Sequence, residues 1–144
     1  MGPCYKFSVV PLSEAIFSDA LCQKWLSLAA ASDNLRAFQQ SPAWCAHKSR
    51  LGESIDVGVI ETVPADTSEI GVMPVQHTRF RHTLGIGRRT ICAKSFRCLL
   101  LMGSQPLLSE TTEDQAQLDE LFRGIREQLP RIDCIRMWGV PLDS

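Results

Sequence analysis

The sequence lacks any long hydrophobic run, and this absence excludes the helical membrane-spanning proteins. Its longest uncharged apolar stretch, Cys98–Ser109, is interrupted by Gly103 and Pro106. A helix that crosses a bilayer needs about 20 apolar residues, so no transmembrane helix is expected. The N-terminal segment has no apolar core of a signal peptide, and Lys6 stands where a myristoylation motif needs Ser or Thr. These features predict a soluble, cytoplasmic protein.

An excess of either charge is also missing. The 144 residues carry 15 Lys and Arg against 16 Asp and Glu, a formal net charge of −1 with a pI near 6.3. A chain without a global positive charge does not attract phosphate backbones or anionic lipid, so we expect no nucleic-acid partner and no membrane partner. Hydrophobic residues at 44% and charged residues at 22% are typical of a folded chain and exclude disorder. The length fits one domain spanning residues 1–144.

No complete set of metal-ligand spacings is present. The six cysteines form no C-x-x-C pair, and of the three histidines only His77 and His82 have a spacing near that of a zinc site. We therefore expect no metal. Without a secretory signal, the even cysteine count does not indicate disulfides, and we expect buried thiols in a reducing compartment instead. The cysteines are Cys4, Cys22, Cys45, Cys92, Cys98 and Cys134.

Hydrophobic periodicity and turn residues predict an α+β fold. Tyr5–Leu12 is expected to form a strand, and Asp19–Ser32 an amphipathic helix. Ser41 and Pro42 are typical of a helix start, and Gly52 of the residue that follows a helix end. Ile55–Val63 and Glu69–Phe80 are predicted strands of a hairpin with a five-residue connection. Because proline donates no backbone hydrogen bond, a bulge or a sheet edge is expected at Pro74.

The second half is predicted to contain a loop, two strands and the strongest helix. Arg81–Arg89 is basic and rich in glycine, which favours a loop, and Ser95–Met102 is a predicted buried strand within the β-like segment Thr90–Met102. Thr112 begins a capping box, and a helical stripe follows before Pro130. Ile132–Val140 is the last predicted strand. The predicted order is therefore β-α-α-β-β-β-α-β. The stripe comprises Leu118, Leu121, Phe122, Ile125 and Leu129.

Three local motifs and the element order resemble the GNAT acyltransferases, in particular the cellulose-biosynthesis (CelD-type) and FemAB-like acetyltransferase family. The motifs are Trp25-Leu26-x-Leu28, Asn34-x-x-x-Phe38-Gln39-x-Ser41-Pro42-x-Trp44 and Gly71-Val72-Met73-Pro74-Val75, and the tail Asp133–Ser144 resembles the strand after the third helix of that family. The chain carries one extra residue, since Gln39 and Gln40 both stand between Phe38 and Ser41. The resemblance covers roughly Asp19–Ser144.

The resemblance implies a GNAT-like fold with a mixed, mostly antiparallel sheet and helices on both faces. Members of the family consist of two GNAT-like halves, and this chain resembles the N-terminal half. The implied activity is transfer of an acyl group from acyl-CoA to an amine. In that superfamily, backbone N–H groups between the fourth strand and the next helix bind the CoA pyrophosphate, as free amides at a helix start can.

The corresponding cofactor-binding residues are Gly103, Ser104 and Gln105. This junction has one glycine and a nearby proline, so both a working acyl-CoA pocket and a degenerate, non-binding junction remain open. A second candidate is His82–Arg89, where an H-x-x-G-x-G pattern flanked by arginines could cradle a phosphate or could be a flexible basic hairpin loop. The sequence assigns no catalytic base, although Glu61 and Glu69 lie on predicted central strands.

Two other residue groups have a structural and a functional interpretation. Cys45 and His47 could form a thiol–imidazole pair, but residues two apart on a helix point to different sides. Large aromatic residues most often fill cores, although they can also line a ligand groove. The three tryptophans concerned are Trp25, Trp44 and Trp138.

Two functions follow as hypotheses. The first is an acyltransferase-superfamily protein whose N-terminal half is this chain, with acetyl-CoA or another acyl-CoA as cofactor and an amine as acyl acceptor. The second is a non-catalytic GNAT-like docking or assembly module. The sheet of this superfamily splits after the fourth strand, so the last strand is expected to have one unpaired edge. Such an edge is a template for pairing, and a homodimer through the last strand is predicted.

Overall fold

The computed structural model describes residues 4–32, 37–63, 70–103, 106–107 and 114–137. Several residues singled out in the sequence lie outside these ranges, so the predictions made for them stay predictions. They are Asn34, Glu69, Ser104, Gln105, Thr112, Trp138 and the tail that follows it.

In the described part, the chain forms five strands, four α-helices and one short 3₁₀ helix, Ala37–Gln40. The strands are β1 (Cys4–Pro11), β2 (Ser54–Val63), β3 (Ile70–Ile86), β4 (Arg89–Leu101) and β5 (Cys134–Met137). The helices are α1 (Leu12–Phe17), α2 (Asp19–Ala31), α3 (Pro42–Arg50) and α4 (Asp114–Gln128).

The five strands form one open sheet in the order β1-β2-β3-β4-β5. The first four strands pair antiparallel with their neighbours. The helix α4 lies between β4 and β5 in the chain, and β5 pairs parallel with β4 from Cys98↔Cys134 to Leu101↔Met137. A parallel pair needs such a long crossover. The prediction of a mixed, mostly antiparallel α+β sheet is confirmed.

Alternating side chains of the strands bury two separate clusters, one on each face of the sheet. On the first face, helices α1, α2 and α3 cover strand residues such as Val57, Val59 and Val72. On the second face, α4 covers Ile60, Met73 and other residues. The helices contribute Leu12, Ala15, Trp25 and Cys45 to the first cluster and Leu121 and Ile125 to the second. The predicted helical stripe of α4 therefore packs on the sheet.

Helix α4 crosses β1 at a glycine. A Cβ atom on Gly124 would overlap the ring of Phe7 and lie 2.5 Å from its Cβ, so only glycine allows this approach. One turn earlier, Glu120 Oε1 accepts a hydrogen bond from the Phe7 backbone N–H at 3.2 Å. One turn later, Gln128 Nε2 donates to the Phe7 carbonyl at 2.6 Å, and Gln128 Oε1 accepts from Val9 N–H at 3.1 Å. Side chains of α4 thus bond the outer edge of β1.

Local sequence signals located α3 correctly. Ser41 Oγ accepts a hydrogen bond from the Trp44 backbone N–H at 3.2 Å, and Pro42 occupies the first helical turn. After the helix, Gly52 has φ of +89°, a left-handed conformation that glycine adopts without a steric penalty. The cap and the terminating glycine follow directly from the sequence.

The prediction of a loop at Arg81–Arg89 is wrong. Those residues belong to a long hairpin in which β3 continues to Ile86 and β4 begins at Arg89, with only Gly87 and Arg88 in the turn. The register from Arg79↔Arg97 to Ile86↔Arg89 is continuous apart from a bulge between Leu84 and Gly85. Strand β4 therefore begins before the predicted Ser95. Glycine-rich and charged residues indicated a loop, whereas pairing with the partner strand decides the conformation.

Two further predictions need correction. The first strand ends at Pro11, and Leu12 begins the six-residue helix α1, so the observed order has an additional helix before Asp19. At Pro74, the interruption is in the neighbouring chain and not in β3: Pro74 pairs with Val57 of β2 on one side, and the ladder with β4 on the other side ends at Val75↔Leu101. The irregularity lies in the adjacent chain, which leaves the sheet after β4.

Candidate functional site

The chain leaves the sheet at the end of β4 and returns to it shortly afterwards. Met102 N–H donates to the Pro74 carbonyl at 3.0 Å, and Leu107 then exchanges two hydrogen bonds with Val72, at 2.8 and 2.9 Å. Between these two contacts, β3 has a single residue, Met73, whereas the neighbouring chain has four residues, 103–106. Pro74 accepts the bond from Met102 through its carbonyl and, having no N–H, cannot return one to the neighbouring chain. The described residues Gly103 and Pro106 therefore lie outside the strands.

Gly103 stands at this departure with φ of +86° and is buried. A Cβ atom at Gly103 would overlap the Gln40 side chain, with Gln40 Cγ and Nε2 both at 2.7 Å. Of the three residues predicted to bind CoA pyrophosphate, Gly103 is the one that the structure describes. It is held by close packing against Gln40, a requirement that the sequence alone did not reveal.

Gln40 connects Gly103 to the core. Its side chain is fully buried, and its Nε2 lies 3.7 Å from Met73 Sδ. Its backbone carbonyl accepts a hydrogen bond from the Trp25 indole at 2.6 Å. Trp25 itself has no exposed surface, so it is a core residue and not a groove residue. The extra glutamine noted in the sequence therefore helps to fix the segment that ends β4.

A cavity of 460 Å³ lies beside Gly103 on the face covered by α3. We call it the Gly103 groove. Trp44, which is half-buried and packs edge-on against Phe38 at 5.5 Å, forms an aromatic wall, and Lys48 adds a cation that pairs with Glu53. The described lining holds no carboxylate, imidazole or thiol. The lining residues are Gln39, Trp44, Lys48, Gln76, Leu100, Leu101, Met102 and Gly103.

A larger cavity, of 640 Å³, lies on the opposite face, near the end of α4. His77 Nε2 is 2.8 Å from Asp56 Oδ2 there, and Arg79, Arg97 and Arg131 line the cavity. This imidazole–carboxylate pair was not found in the sequence, because it depends on the register that sets Ser54 opposite His77. The pair could accept a proton, but it faces away from the Gly103 groove. The larger cavity is therefore not the predicted cofactor site.

The remaining sequence candidates do not converge. Cys45 is completely buried, and burial raises its pKa to about 12, so it remains a protonated core thiol, whereas His47 is exposed. Burial is also the largest cause that raises the pKa of Cys98 to about 11, followed by the adjacent thiol of Cys134. Glu61 is exposed on β2. None of these groups lines the Gly103 groove.

Two features are absent from the described residues. No three His, Cys, Asp or Glu side chains in ranges 4–32, 37–63, 70–103, 106–107 and 114–137 come together in a way that would hold a metal ion. Within those same ranges, no helix is both long and apolar enough to cross a membrane. The five cysteines with described side chains are free thiols: Cys22, Cys45, Cys92, Cys98 and Cys134.

Comparison with known proteins adds no relative on which a function could rest. No family model, no curated protein and no solved structure matches the chain.

Proposed function

We propose that the chain is the N-terminal GNAT-like half of an acyltransferase-superfamily protein, and that the Gly103 groove receives part of an acyl-CoA. The whole protein would transfer the acyl group to an amine. The observation that carries this proposal is the end of β4: the strand stops, the chain leaves the sheet at Gly103, and α4 then leads to a parallel β5. The resemblance noted in the sequence implies CoA binding at that junction.

The Gly103 groove has suitable chemistry for one end of such a cofactor. Its apolar wall from Trp44 and Met102 would accept an uncharged pantetheine arm, and Lys48 would attract a phosphate group. Gly103 itself is buried against the Gln40 side chain, so it shapes the wall of the groove at the end of β4 and does not present its own amide to a ligand. Trp44 therefore has the groove role that the sequence left open, whereas Trp25 does not.

Acyl transfer also needs groups that this groove does not supply. An amine that attacks a thioester must lose a proton, and the developing oxyanion needs a hydrogen-bond donor. The described lining of the groove offers a cation and amide side chains but no base. We therefore assign to this chain the binding of acyl-CoA, and the chemistry to the second half that the resemblance implies.

A different observation, the outer edge of β5, favours a second candidate, a non-catalytic docking or assembly module. In this alternative the groove binds no cofactor, and the fold presents surfaces to a partner. The position of β5 at the edge of the sheet supports such a role, because in the described part of the chain β5 pairs only with β4. A homodimer through β5 remains our proposal for how that edge is covered.

Calorimetric titration and thermal melting with acetyl-CoA and CoA separate the two candidates. At ~100 times its dissociation constant, a ligand of the folded state adds about 2.7 kcal/mol of stability. Lys48→Gln removes one charge-assisted contact and should weaken binding by roughly tenfold. Lys6→Gln makes the same change at an exposed position on β1 and should leave binding unchanged.

The outcomes assign the function unambiguously. Binding that depends on Lys48 but not on Lys6, without release of free thiol from acetyl-CoA, supports a cofactor-binding half. Absence of a thermal shift at millimolar acetyl-CoA contradicts cofactor binding by this chain and leaves the docking module. Equal weakening by both substitutions would place the ligand elsewhere.

A further inference from the structure

The hairpin of β3 and β4 extends well beyond the body of the sheet. Pairing of β3 with β2 ends at His77, and pairing of β4 with β5 begins at Cys98. Residues 79–97 therefore form a two-stranded arm, which we call the ribbon, with no third strand among the described residues. At ~3.4 Å per residue the ribbon is roughly 25 Å long. Its residues 79–95 are all exposed.

Charge is strongly concentrated on the ribbon. It carries six of the 15 Lys and Arg and no Asp or Glu, which leaves nine cations against all 16 acidic residues on the rest of the chain. The near-neutral total thus averages a ribbon of +6 and a remainder of −7. The expectation of no nucleic-acid partner rested on that average. The six cations are Arg79, Arg81, Arg88, Arg89, Lys94 and Arg97.

The two faces of the ribbon differ. Because side chains alternate, Arg79, Arg81 and Arg97 share one face, and Phe80 pairs with Phe96 on the other. Arg97 is bonded to Asp133, whereas four arginines make no ion pair with any residue in the described ranges: Arg79, Arg81, Arg88 and Arg89.

The tip adds exposed aliphatic side chains. Leu84, Ile86 and Ile91 are 59%, 76% and 66% exposed, although an exposed hairpin gains nothing from presenting them to water. Isolated two-stranded hairpins are at best marginally stable, so a ribbon of this length is not explained by its own packing. Cations along an arm with aliphatic residues near its end indicate a surface for a polyanion that also offers apolar contact.

We propose that the ribbon binds a nucleic-acid duplex, with its arginines on the phosphate backbone and Ile86 against the bases in a groove. A two-stranded ribbon fits the grooves of a duplex, and aliphatic side chains are inserted between base steps by several groove-binding proteins. A duplex carries one charge per ~1.7 Å of axis, so a ribbon of roughly 25 Å can lie along about 15 phosphate charges. This interaction is independent of the Gly103 groove.

Other polyanions fit the ribbon less well. In a membrane-inserting tip the outermost residues are apolar, but here Arg88 is in the turn and Arg89 pairs with Ile86 at the end of the hairpin. Insertion of Ile86 into lipid would therefore carry both guanidinium groups in with it. Stacking of single-stranded bases is disfavoured because cations already cover the rings, with Arg136 at 4.7 Å from the Phe80 centroid and Lys94 at 5.2 Å from that of Phe96.

Fluorescence anisotropy on the full chain tests the proposal. Labelled duplex DNA and duplex RNA of about 20 base pairs are titrated between roughly 50 and 200 mM KCl. Four contacting arginines predict a slope of log K against log salt of about −3 to −4, and Arg81→Gln with Arg88→Gln should reduce that slope by about 1.8. Lys6→Gln with Arg50→Gln removes the same charge from exposed body positions and should leave the slope unchanged.

A separate variant tests the apolar contact. Ile86→Ser should weaken duplex binding by roughly tenfold without altering the salt slope, because no charge is removed. Ile86 is exposed, so circular dichroism and the melting temperature should stay those of the unsubstituted chain. Whichever duplex binds more tightly, DNA or RNA, identifies the natural ligand of the ribbon.

Several results would overturn the proposal. These are absence of saturable binding to either duplex at the lowest salt, or an equal loss of slope in the body variant. Binding to phosphatidylserine vesicles in the absence of duplex binding would show a lipid-binding arm instead. Self-association of the Arg81/Arg88 variant with an unchanged slope would show that the arginines only protect the strand edges of the ribbon.

Discussion

Substitution of Gly124 by alanine sets two effects of known size against each other. In a helix interior, alanine is favoured over glycine by about 0.8–1.0 kcal/mol, so propensity alone predicts a more stable protein. The structure predicts the opposite, because the new Cβ overlaps the Phe7 ring and lies 2.5 Å from Phe7 Cβ. The Cβ of Phe7 is fixed by its backbone, so the ring cannot relieve the contact by changing rotamer.

The helix must therefore move away from β1. Overpacking of a well-packed core costs about 1–3 kcal/mol, and the upper end applies because the contacted atom is rigid. Displacement also stretches the bonds of Gln128 to the Phe7 carbonyl and to Val9 N–H. After subtraction of the propensity gain, we expect Gly124→Ala to lower the free energy of unfolding by ~1–2 kcal/mol, a fall in melting temperature of roughly 2–8 °C.

Urea denaturation of matched variants measures each contribution. At exposed Arg126 on the same helix, the difference between Arg126→Ala and Arg126→Gly gives the propensity effect without a clash. Phe7→Leu in the Gly124→Ala background should recover part of the loss, as a coupled pair in contact does. If Gly124→Ala instead stabilises the protein as much as Arg126→Ala does relative to Arg126→Gly, α4 does not cross β1 at this residue.

Four further predictions follow from burial, protonation and the sheet edge. Leu121→Ala should cost ~2–5 kcal/mol in urea denaturation, because Leu121 is fully buried, and a loss under ~1 kcal/mol would contradict its packing. Iodoacetamide at neutral pH should label exposed Cys92 first and spare Cys45 and Cys98, because their raised pKa values keep both thiols protonated. Denatured, non-reduced protein should show six free thiols, and a count of four or fewer would indicate disulfides. Hydrogen bonds from Arg97 lower the pKa of Asp133 below its usual value of 3.8. The stability that these bonds provide is therefore complete above pH 3.8 and is lost as the pH falls through the lower pKa of the folded state. In Asp133→Asn, the acid-induced loss of stability measured by circular dichroism should be smaller. Sedimentation at micromolar concentration should show a dimer if β5 edges pair, and a species that stays near 16.0 kDa would exclude it.

Elements that bury one face could be predicted from the sequence, because burial leaves a periodic pattern. The stripe of α4 and the cap of α3 are local features, and both are where the sequence puts them. The ribbon could not be predicted in this way. Because neither face of the ribbon is buried, its residues do not alternate between apolar and polar as those of a half-buried strand do. Without that pattern, Gly85 and Gly87 favour the prediction of a loop. Helix α1 has only six residues, too few to show a period.

The candidate site was only partly predictable for a related reason. Gly103 was singled out by the family resemblance, which implies a binding junction after the fourth strand, but its contact with Gln40 joins residues far apart in the chain. The Asp56–His77 pair depends on the hairpin register, which a shift of one residue would alter for every side chain. Sequence spacing fixes neighbours within an element, whereas sites formed between elements require the register.

The strand edges of this sheet are protected in three different ways, and the differences point to where partners bind. The outer edge of β1 is bonded by Glu120 and Gln128, which leaves little for another chain to pair with. The outer edge of β5, which in the described part of the chain pairs only with β4, would be covered by the dimer that we propose. The ribbon has two long edges and relies on charge, since it holds six cations and no acid. Repulsion between like ribbons prevents self-pairing but not association with an anion. The concentration of positive charge on the ribbon would thus disfavour pairing between two copies and favour binding of a polyanion, as the proposed nucleic-acid-binding role requires.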